Sequence, residues 1–156
     1  MTISVRLLGP GDEPVLQLLS EQEEAFDIEG RSERSTPPQP ADAAAYLADP
    51  AVLHWVAELD GEVVGFNLCY VLRRRSESPR ELLLFEIGVR HDARRRGAGR
   101  ALIAAMRDWM ERERIAETWV LADNPGAIAF YAACGFVRDP EQGVQMLLTL
   151  PVERAS

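Results

Sequence analysis

The segment from Arg94 to Leu102 contains the residues whose types and spacing most clearly indicate chemistry. Three arginines and two glycines open a stretch with helical periodicity, and an apolar run ends shortly before them. Glycine lets backbone N–H groups approach an anion closely, and the positive end of a helix dipole faces that charge. The pattern therefore predicts a strand, a loop that binds a phosphorylated cofactor, and a helix; an exposed basic turn is the alternative. The predicted loop residues are Arg94, Arg95, Arg96, Gly97, Ala98, Gly99 and Arg100.

Two common phosphate loops are excluded by what the sequence lacks. A P-loop needs Gly-Lys followed by Ser or Thr, and the chain contains no lysine. A dinucleotide-binding loop needs a third small residue three positions after Gly99, where Leu102 stands. The pattern that remains is Arg-x-x-Gly-x-Gly. Nucleic acid, the rival partner for three adjacent arginines, is disfavoured by the net charge of -8.

A second informative segment runs from Asn124 to Phe136 and places Tyr131 four residues before a Gly-Phe pair. Together with the Arg-x-x-Gly-x-Gly loop, this segment resembles the GNAT superfamily of acetyl-CoA-dependent N-acetyltransferases. That superfamily has both motifs in this order and at about this separation. The resemblance extends from Val5 to Leu150 and implies that acetyl-CoA is the co-substrate. No metal is expected, because the two cysteines lack the spacing of metal ligands.

The order of predicted elements indicates an α+β fold with a mixed, mainly antiparallel central sheet flanked by helices. Strands are predicted over 3–8, 52–59, 62–72, 82–89, 118–121 and 144–150, and helices over 12–26, 41–48, 100–113 and 127–133. Residues 27–40 are predicted as an irregular loop and 1–156 as a single domain. The resemblance adds that the central strands splay, so that the strand carrying Ile87 and Val89 leaves the strand ending near Leu121.

The splayed strands imply a binding mode for the cofactor. Unpaired backbone groups of Ile87 and Val89 would pair with the two amides of the pantetheine arm, like an added strand. The pyrophosphate would meet the amides of Arg95 to Arg100, and the arginine side chains could add charge-assisted hydrogen bonds. Asn124 is predicted to cap the helix that follows it, to bind the pantetheine arm, or to do both.

Two residues are predicted to act in catalysis. Attack of an amine on a thioester requires a group that removes the amine proton and an acid for the leaving thiolate. Glu86 interrupts the apolar run 82–89, and a carboxylate there costs free energy unless it is paired or functional. It is therefore the predicted base, with a salt bridge to an arginine as the alternative. Tyr131 matches the tyrosine that the superfamily places beside the sulfur, with a core aromatic role as the alternative.

The acceptor is predicted from a resemblance to one branch, the aminoglycoside 3-N-acetyltransferases. The shared features are the residues 62–65, the strand end at 70–72, the residues 79–81, an acid at position 86, and the arginines of the loop. The branch has aspartate where this chain has Glu86, and it differs over residues 123–126. A polycationic amine needs carboxylates around it, and the candidates are Glu24, Asp27, Glu29, Glu86 and Asp123. A protein or small-molecule amine, and a catalytically silent coenzyme A-binding domain, remain alternatives.

Composition narrows the class of protein further. Thirteen acidic residues and three arginines occur in residues 1–62, whereas twelve arginines occur from Arg73 to Arg114. This polarity suits an anionic cofactor in the middle of the chain and a cationic acceptor nearer its start. No apolar run is long enough to span a bilayer and no signal-peptide pattern is present, so a cytoplasmic protein without a membrane partner is expected. His54 and His91 belong to no motif and are expected to be incidental, and a homodimer is left open.

Overall fold

The computed structural model describes residues 2–26, 36–141 and 143–152. The chain forms two compact units, residues 1–122 and residues 123–156, and each is described by itself. The predicted acceptor ligands Asp27 and Glu29 lie outside the described residues, as does most of the predicted loop 27–40.

The first unit contains a five-stranded sheet, and its strands are β1 (Ser4–Leu7), β2 (Val52–Leu59), β3 (Glu62–Arg73), β4 (Arg80–Val89) and β5 (Thr118–Trp119). The helices of the chain are α1 (Glu13–Glu21), α2 (Pro40–Ala48), α3 (Ala98–Glu113) and, in the second unit, α4 (Pro125–Ala133). Short 3₁₀ turns cover Glu23–Phe26 and His91–Ala93. The strands follow the order β1-β2-β3-β4-β5, antiparallel except for the parallel pair β4 and β5. The predicted mixed, mainly antiparallel α+β sheet is confirmed.

The start of α1 differs in detail from its prediction. Asp12 stands at the N-cap, but its carboxylate makes no cap hydrogen bond to the helix. It accepts instead from the backbone N–H of Gly9 at 2.9 Å and from Arg6 at 3.0 Å. Arg6 donates to Oδ1 of Asp12 and the N–H of Gly9 donates to Oδ2, so both oxygens are engaged and Asp12 closes the turn that precedes α1. The helix ends at Glu21, and a 3₁₀ turn completes the segment predicted as helix.

The two faces of the sheet are covered by different helices. On one face, Val56 and Phe66 belong to a buried cluster with residues of α1, α2 and the 3₁₀ turn that follows α1. On the other face, Leu102 and Met106 of α3 are fully buried, and the ring of Trp109 meets Trp55 edge-on with centroids 6.3 Å apart. The sheet therefore separates two apolar layers. Successive side chains of a strand point to opposite faces, so a residue's odd or even position along the strand, its parity, decides which layer it enters.

One irregularity in β4 changes that parity. Cys69 of β3 lies opposite Leu84, but Leu68, one residue earlier, lies opposite Glu86. One extra residue, Phe85, is thus inserted into β4, which defines a β-bulge. Before the bulge, Leu84 faces the layer that contains α3; after it, Glu86 faces the opposite layer.

The same strand has an open edge. β4 pairs with β5 only through Leu82 and Leu83, so beyond Leu83 no described strand lies on that side. Backbone N–H groups alternate in direction along a strand, and the N–H of Arg90 donates to Val64 of β3 at 2.8 Å. Ile87 and Val89, an odd number of residues from Arg90, therefore direct their N–H groups toward the open side. This is the predicted splay.

The predicted closing strand over residues 144–150 is wrong. Residues 143–152 contain no strand pairing in the described structure, and their large apolar side chains are 65–89% exposed up to Leu150. Alternating apolar residues form a strand only when a neighbouring strand accepts their backbone hydrogen bonds, and no described strand pairs with this segment. In β5 the strand also stops early, at Trp119.

The close contact between β4 and the Phe66 ring yields a stability prediction. A Cβ atom at Gly88 would lie 2.7 Å from a ring carbon of Phe66, which is itself buried against Phe26. We expect Gly88→Ala to lower the free energy of unfolding by about 1–3 kcal/mol, the usual cost of overpacking a core. Urea unfolding measures the change, and Gly9→Ala, where a Cβ meets nothing within 4 Å, is the control. Equal urea midpoints for the two variants would contradict the packing.

Candidate active site

The loop before α3 has the backbone geometry of an anion site. Arg95 and Gly97 both have positive φ, 65° and 87°, and they bracket Arg96. Such turns bring successive N–H groups to one side of the chain as a concave cluster of donors. Gly97 is the N-cap of α3 and makes no side-chain cap, and its carbonyl accepts the first helical bond from Ala101 at 2.9 Å.

The amides of this loop that follow Arg94 have no acceptor in the part of the chain that the structure describes. Among the described residues, no backbone or side-chain acceptor receives the N–H groups of Arg95 to Arg100. The first N–H groups of a helix must find partners outside it, and they carry the positive end of the helix dipole. Arg94, Arg95, Arg96 and Arg100 are all exposed, whereas Ala93 and Ala98 are buried and anchor the two ends of the loop. The loop can therefore bind phosphate oxygens with both amides and guanidinium groups.

Glu86 lines a cavity of about 360 Å³ on the face of the sheet opposite α3. The bulge at Phe85 places it there, half-buried and directly opposite Leu68. Two further carboxylates line the same cavity, Glu23 from the 3₁₀ turn and Asp42 from α2. Apart from Ser20 and Thr36, its remaining walls are apolar or aromatic. The cavity therefore combines several negative charges with a few surfaces that could contact the ring of a ligand.

Three more side chains join Glu86 in this region. The hydroxyl of Tyr46 is hydrogen-bonded to Nδ1 of His54 at 2.9 Å, and Tyr70 lies near enough to affect it electrostatically. Burial, with smaller effects from Tyr70 and from the charge of Glu86, raises the pKa of Tyr46 well above its usual range. Burial, followed by the Glu86 charge, also raises the pKa of Tyr70. Both hydroxyls thus stay protonated at neutral pH beside a carboxylate.

His54 lies deepest in this group and is only 7% exposed. Burial lowers the pKa of His54 to about 4, so the imidazole is neutral at pH 7. Its Nε2 is buried and has no hydrogen-bond partner within the described part of the chain. The expectation that His54 is incidental does not explain this cost, since buried polar atoms are rarely left unpaired.

Glu24 lies elsewhere. It lines a wider, open cavity of about 600 Å³ together with Glu21, Glu62 and Asp92, in which Arg90 bridges Glu62 at 3.1 Å and Asp92 at 2.6 Å. The structure therefore separates Glu24 from Glu86, although both are predicted acceptor ligands. Its neighbour Glu23, which the sequence analysis did not select, lines the Glu86 cavity.

Sequence analysis missed the other residues around Glu86 for different reasons. The register set by the Asp60-Gly61 turn alone would place His54 opposite Asn67. An extra residue in β3, Val64, shifts the pairing so that His54 faces Leu68, which in turn faces Glu86. The sequence pattern gave no signal for this shift. Tyr46 comes from α2, and its approach to His54 depends on helix packing that no local pattern encodes.

In the second unit, the side chain of Asn124 caps α4. Its Oδ1 accepts from the N–H of Ala127 at 2.8 Å, and its Nδ2 donates to Asp123 at 3.2 Å. Tyr131 is the buried residue of α4, and its ring lies 5.3 Å from that of Phe136 and 5.5 Å from that of Phe130, measured between centroids. The capping role of Asn124 is thus observed; the catalytic role of Tyr131 stays a prediction.

The described residues contain neither a candidate metal site nor a candidate membrane-spanning helix. No group of three or more His, Cys, Asp or Glu side chains there could hold a metal ion. No described helix is both long and apolar enough to cross a membrane.

Comparison with known proteins identifies the family. The model of the acetyltransferase (GNAT) family matches residues 15–136, most of the chain. The chain therefore belongs to the GNAT acetyltransferase family, whose members transfer acetyl groups from acetyl-CoA, and it is by family an N-acetyltransferase.

Individual relatives differ in what they are named for. The L-2,4-diaminobutyric acid acetyltransferase of Nocardia farcinica is 39% identical over 80 residues, which are 50% of this chain and 40% of that protein. The [ribosomal protein bS18]-alanine N-acetyltransferase of Escherichia coli K12 is 43% identical over 58 residues, 36% of this chain and 39% of that protein. The chain thus spans about two fifths of the length of the curated relatives it matches.

Solved structures share the fold over nearly the whole chain. An aminoglycoside acetyltransferase from an uncultured soil metagenomic sample superposes with a TM-score of 0.83 at 25% identity, covering 96% of this chain and 100% of that one. This likeness confirms the GNAT fold seen in the sheet.

The loop geometry predicts how cofactor binding fails. A β-branched residue is strained at the positive φ of Gly97, although a Cβ there meets nothing within 4 Å, so the backbone that orients the loop amides would have to change. We expect Gly97→Val to abolish acetyl-CoA binding in calorimetry while unfolding stays cooperative. Gly11→Val, which imposes similar strain at a φ of 102° with open space around it, is the control and should bind normally. Unchanged affinity in Gly97→Val would show that the loop does not bind the cofactor.

Burial of His54 predicts a pH-dependent stability. The pKa of His54 is about 4 in the folded protein, against 6.5 for a histidine exposed to water. The unfolded chain therefore binds the proton first as pH falls. The stabilisation is complete above pH 6.5 and is lost between pH 6.5 and 4, by on the order of 3 kcal/mol. Chemical unfolding of the parent and of His54→Phe at pH 7, 5.5 and 4.5 measures the effect. Parallel stability curves for the two proteins would refute it.

Proposed function

We propose that this chain transfers the acetyl group of acetyl-CoA to an amine of an aminoglycoside, most specifically the 3-amino group. The observation that carries the proposal is the half-buried Glu86, which the β4 bulge places in a cavity with two further carboxylates, Glu23 and Asp42. The fold shared with an aminoglycoside acetyltransferase supports it.

The chain offers acetyl-CoA two sets of free backbone groups. Unpaired N–H groups of Ile87 and Val89 at the open edge of β4 would bind the pantetheine amides. The amides of Arg95 to Arg100 would bind the pyrophosphate, and Arg94, Arg95, Arg96 and Arg100 would add positive charge. The side-chain amide of Asn124 would also bind the pantetheine arm, with the hydrogen-bonding capacity that capping α4 leaves unused.

Glu86 would remove the proton from the acceptor amine, directly or through one water. The neutral nitrogen then forms a bond to the thioester carbonyl carbon, and it loses its surplus proton to solvent as the tetrahedral adduct collapses and the C–S bond breaks. Tyr131 would donate its phenolic proton to the departing thiolate. Positive backbone dipoles near the end of β4 would stabilise the oxyanion.

The electrostatics of the Glu86 cavity favour a polycationic acceptor. Three carboxylates there attract ammonium groups, and Tyr46 and Tyr70 add hydroxyl oxygens. Leu68 and Phe66 supply apolar wall against which the face of a sugar ring could pack. Glu24, in the wider open cavity, would bind amines of the drug that lie farther from the reacting amine. Asp27, Glu29 and Asp123 would bind further amines in the same way.

The competing acceptors differ in charge. Diaminobutyrate, which the Nocardia relative is named for, has a carboxylate that the three acids of the cavity would repel. A protein amine, as in the name of the Escherichia coli relative, is the second candidate, since an alanine N-terminus carries an ammonium group without a nearby free carboxylate. A catalytically silent coenzyme A-binding domain has no need for a carboxylate buried at the end of this strand.

Thiol release measures which acceptor is used. We expect turnover with gentamicin to exceed that with diaminobutyrate, a small monoamine and an alanine-starting peptide, and the KM for gentamicin to rise as salt is increased from about 0.05 to 0.5 M. We expect Glu86→Gln to lower kcat with gentamicin by roughly 10²- to 10⁴-fold, most strongly at pH values below the pKa of the amine. The position of the new acetyl group is read by NMR of the product.

Glu21→Gln is the charge-matched control, because Glu21 lines the other cavity. Turnover restricted to the peptide, or drug turnover indifferent to salt, would refute the aminoglycoside proposal. A Glu86→Gln variant whose pH–rate profile overlays that of the parent would refute the base role.

A further inference from the structure

His54 occupies a position where an apolar residue would cost less. It lies in the middle of β2, opposite Leu68, and its ring packs edge-on against Phe66 with centroids 5.8 Å apart. Its Nε2 is buried without a partner among the described residues. A buried unpaired polar atom costs about 1–3 kcal/mol, and a phenylalanine would fill much the same space without that cost. The histidine therefore needs an explanation other than packing.

Among the described residues, the hydrogen-bond partner of the imidazole is Tyr46. Nδ1 lies 2.9 Å from the Tyr46 hydroxyl, and both residues line the cavity that contains Glu86. Tyr46 comes from α2 and His54 from β2, so the contact joins two sides of the cavity. It fixes the direction of a hydroxyl that would otherwise rotate freely, since a phenol needs a defined partner to hold its proton in one place.

We propose that Tyr46 binds the acceptor amine together with Glu86, and that His54 is a positioning residue that holds the Tyr46 hydroxyl for this purpose. The inference rests on the proposed acetyltransferase function of the same cavity. Tyr46 donates its proton to Nδ1 of His54, which leaves lone pairs on the phenolic oxygen for an N–H of the acceptor. Glu86 accepts a second N–H, so that the nitrogen is held at two points before it loses its proton.

The state of the imidazole agrees with this role. Because burial keeps His54 neutral at pH 7, its Nδ1 can accept the phenolic proton. A protonated imidazole would donate from both nitrogens, would turn the Tyr46 proton toward the acceptor, and would repel an ammonium group. Tyr70 lies near Tyr46 and Glu86 and narrows the direction from which an amine can approach.

A packing role and a positioning role make different predictions for His54→Phe. If His54 only fills space, replacement keeps or raises the melting temperature at pH 7, because the unpaired Nε2 is removed, and it leaves acceptor binding unchanged. If His54 positions Tyr46, the melting temperature behaves in the same way but acceptor binding weakens.

A double-mutant cycle on the full chain tests the inference. We expect Tyr46→Phe and His54→Phe each to raise the KM for the acceptor about 10-fold or more, the typical effect of losing a hydrogen bond to a charged group. The double variant should be no worse than either single variant, because both remove one interaction. The KM for acetyl-CoA should stay within about twofold in all three. His54→Asn, whose side-chain oxygen can accept from Tyr46, should recover part of the loss.

The assay uses whichever amine of the panel the parent acetylates fastest, which separates this inference from the proposed substrate. Ser76→Ala, which removes a hydroxyl hydrogen bond in an exposed loop, is the control. Additive effects of the two substitutions, or an unchanged KM for the acceptor in His54→Phe, would overturn the inference while leaving the proposed function standing. If the parent prefers a peptide, the aminoglycoside proposal fails and the cycle is run with that peptide. A parent that acetylates no amine overturns both.

Discussion

The insertion of Phe85 into β4 is the constraint on which the candidate site depends. Without it, Glu86 would continue the alternation of Leu82 and Leu84 and would face the layer beneath α3, where Leu84, Leu102 and Met106 are fully buried. A carboxylate there would lose its hydration without compensation, at a cost of several kcal/mol. The bulge sends the charge instead to a cavity with room for a ligand. One local change of register thus decides which layer Glu86 enters.

The same bulge determines where the backbone of β4 is free. It reverses the direction of the N–H groups, so that Ile87 and Val89 point away from β3, toward the side where β5 has already ended. A few residues later, the positive φ angles of Arg95 and Gly97 gather further unpaired amides at the start of α3. Unsatisfied main-chain donors are costly unless water or a ligand binds them. These N–H donors follow one another along one strand, one loop and the start of one helix. A single continuous segment can therefore bind a long ligand that has amides at one end and phosphates at the other.

Sequence patterns predicted the parts of the fold that depend on local interactions. The strand over 52–59 was predicted to the residue and α2 to within one, because Pro40 and the Asp60-Gly61 turn set sharp limits. Glu86 stood out as the one acid in an apolar run. The pattern of alternation could not show the bulge, since the extra residue, Phe85, is as apolar as its neighbours. It also predicted a strand at 144–150 that the structure lacks, because alternation contains no information about a pairing edge.

The residues around Glu86 show the other limit of prediction from sequence. His54 belongs to no sequence motif. It is distinguished by its buried Nε2, which has no hydrogen-bond partner among the described residues, and by the hydrogen bond of its Nδ1 with Tyr46 of α2. Glu23 rather than Glu24 shares the cavity with Glu86, because the 3₁₀ turn after α1 directs successive side chains to different cavities. Both facts depend on tertiary packing, and a list of acids in the sequence cannot distinguish such neighbours.

The central claim is that the β4 bulge delivers Glu86 to the acceptor amine, and a crystal structure of the chain with coenzyme A and an aminoglycoside tests it most directly. The account predicts a drug nitrogen within about 2.6–3.2 Å of a Glu86 carboxylate oxygen, or joined to it through one water. It also predicts the pyrophosphate on the amides that follow Arg94. A drug bound only in the cavity of Glu24, with Glu86 paired to an arginine, would contradict the account.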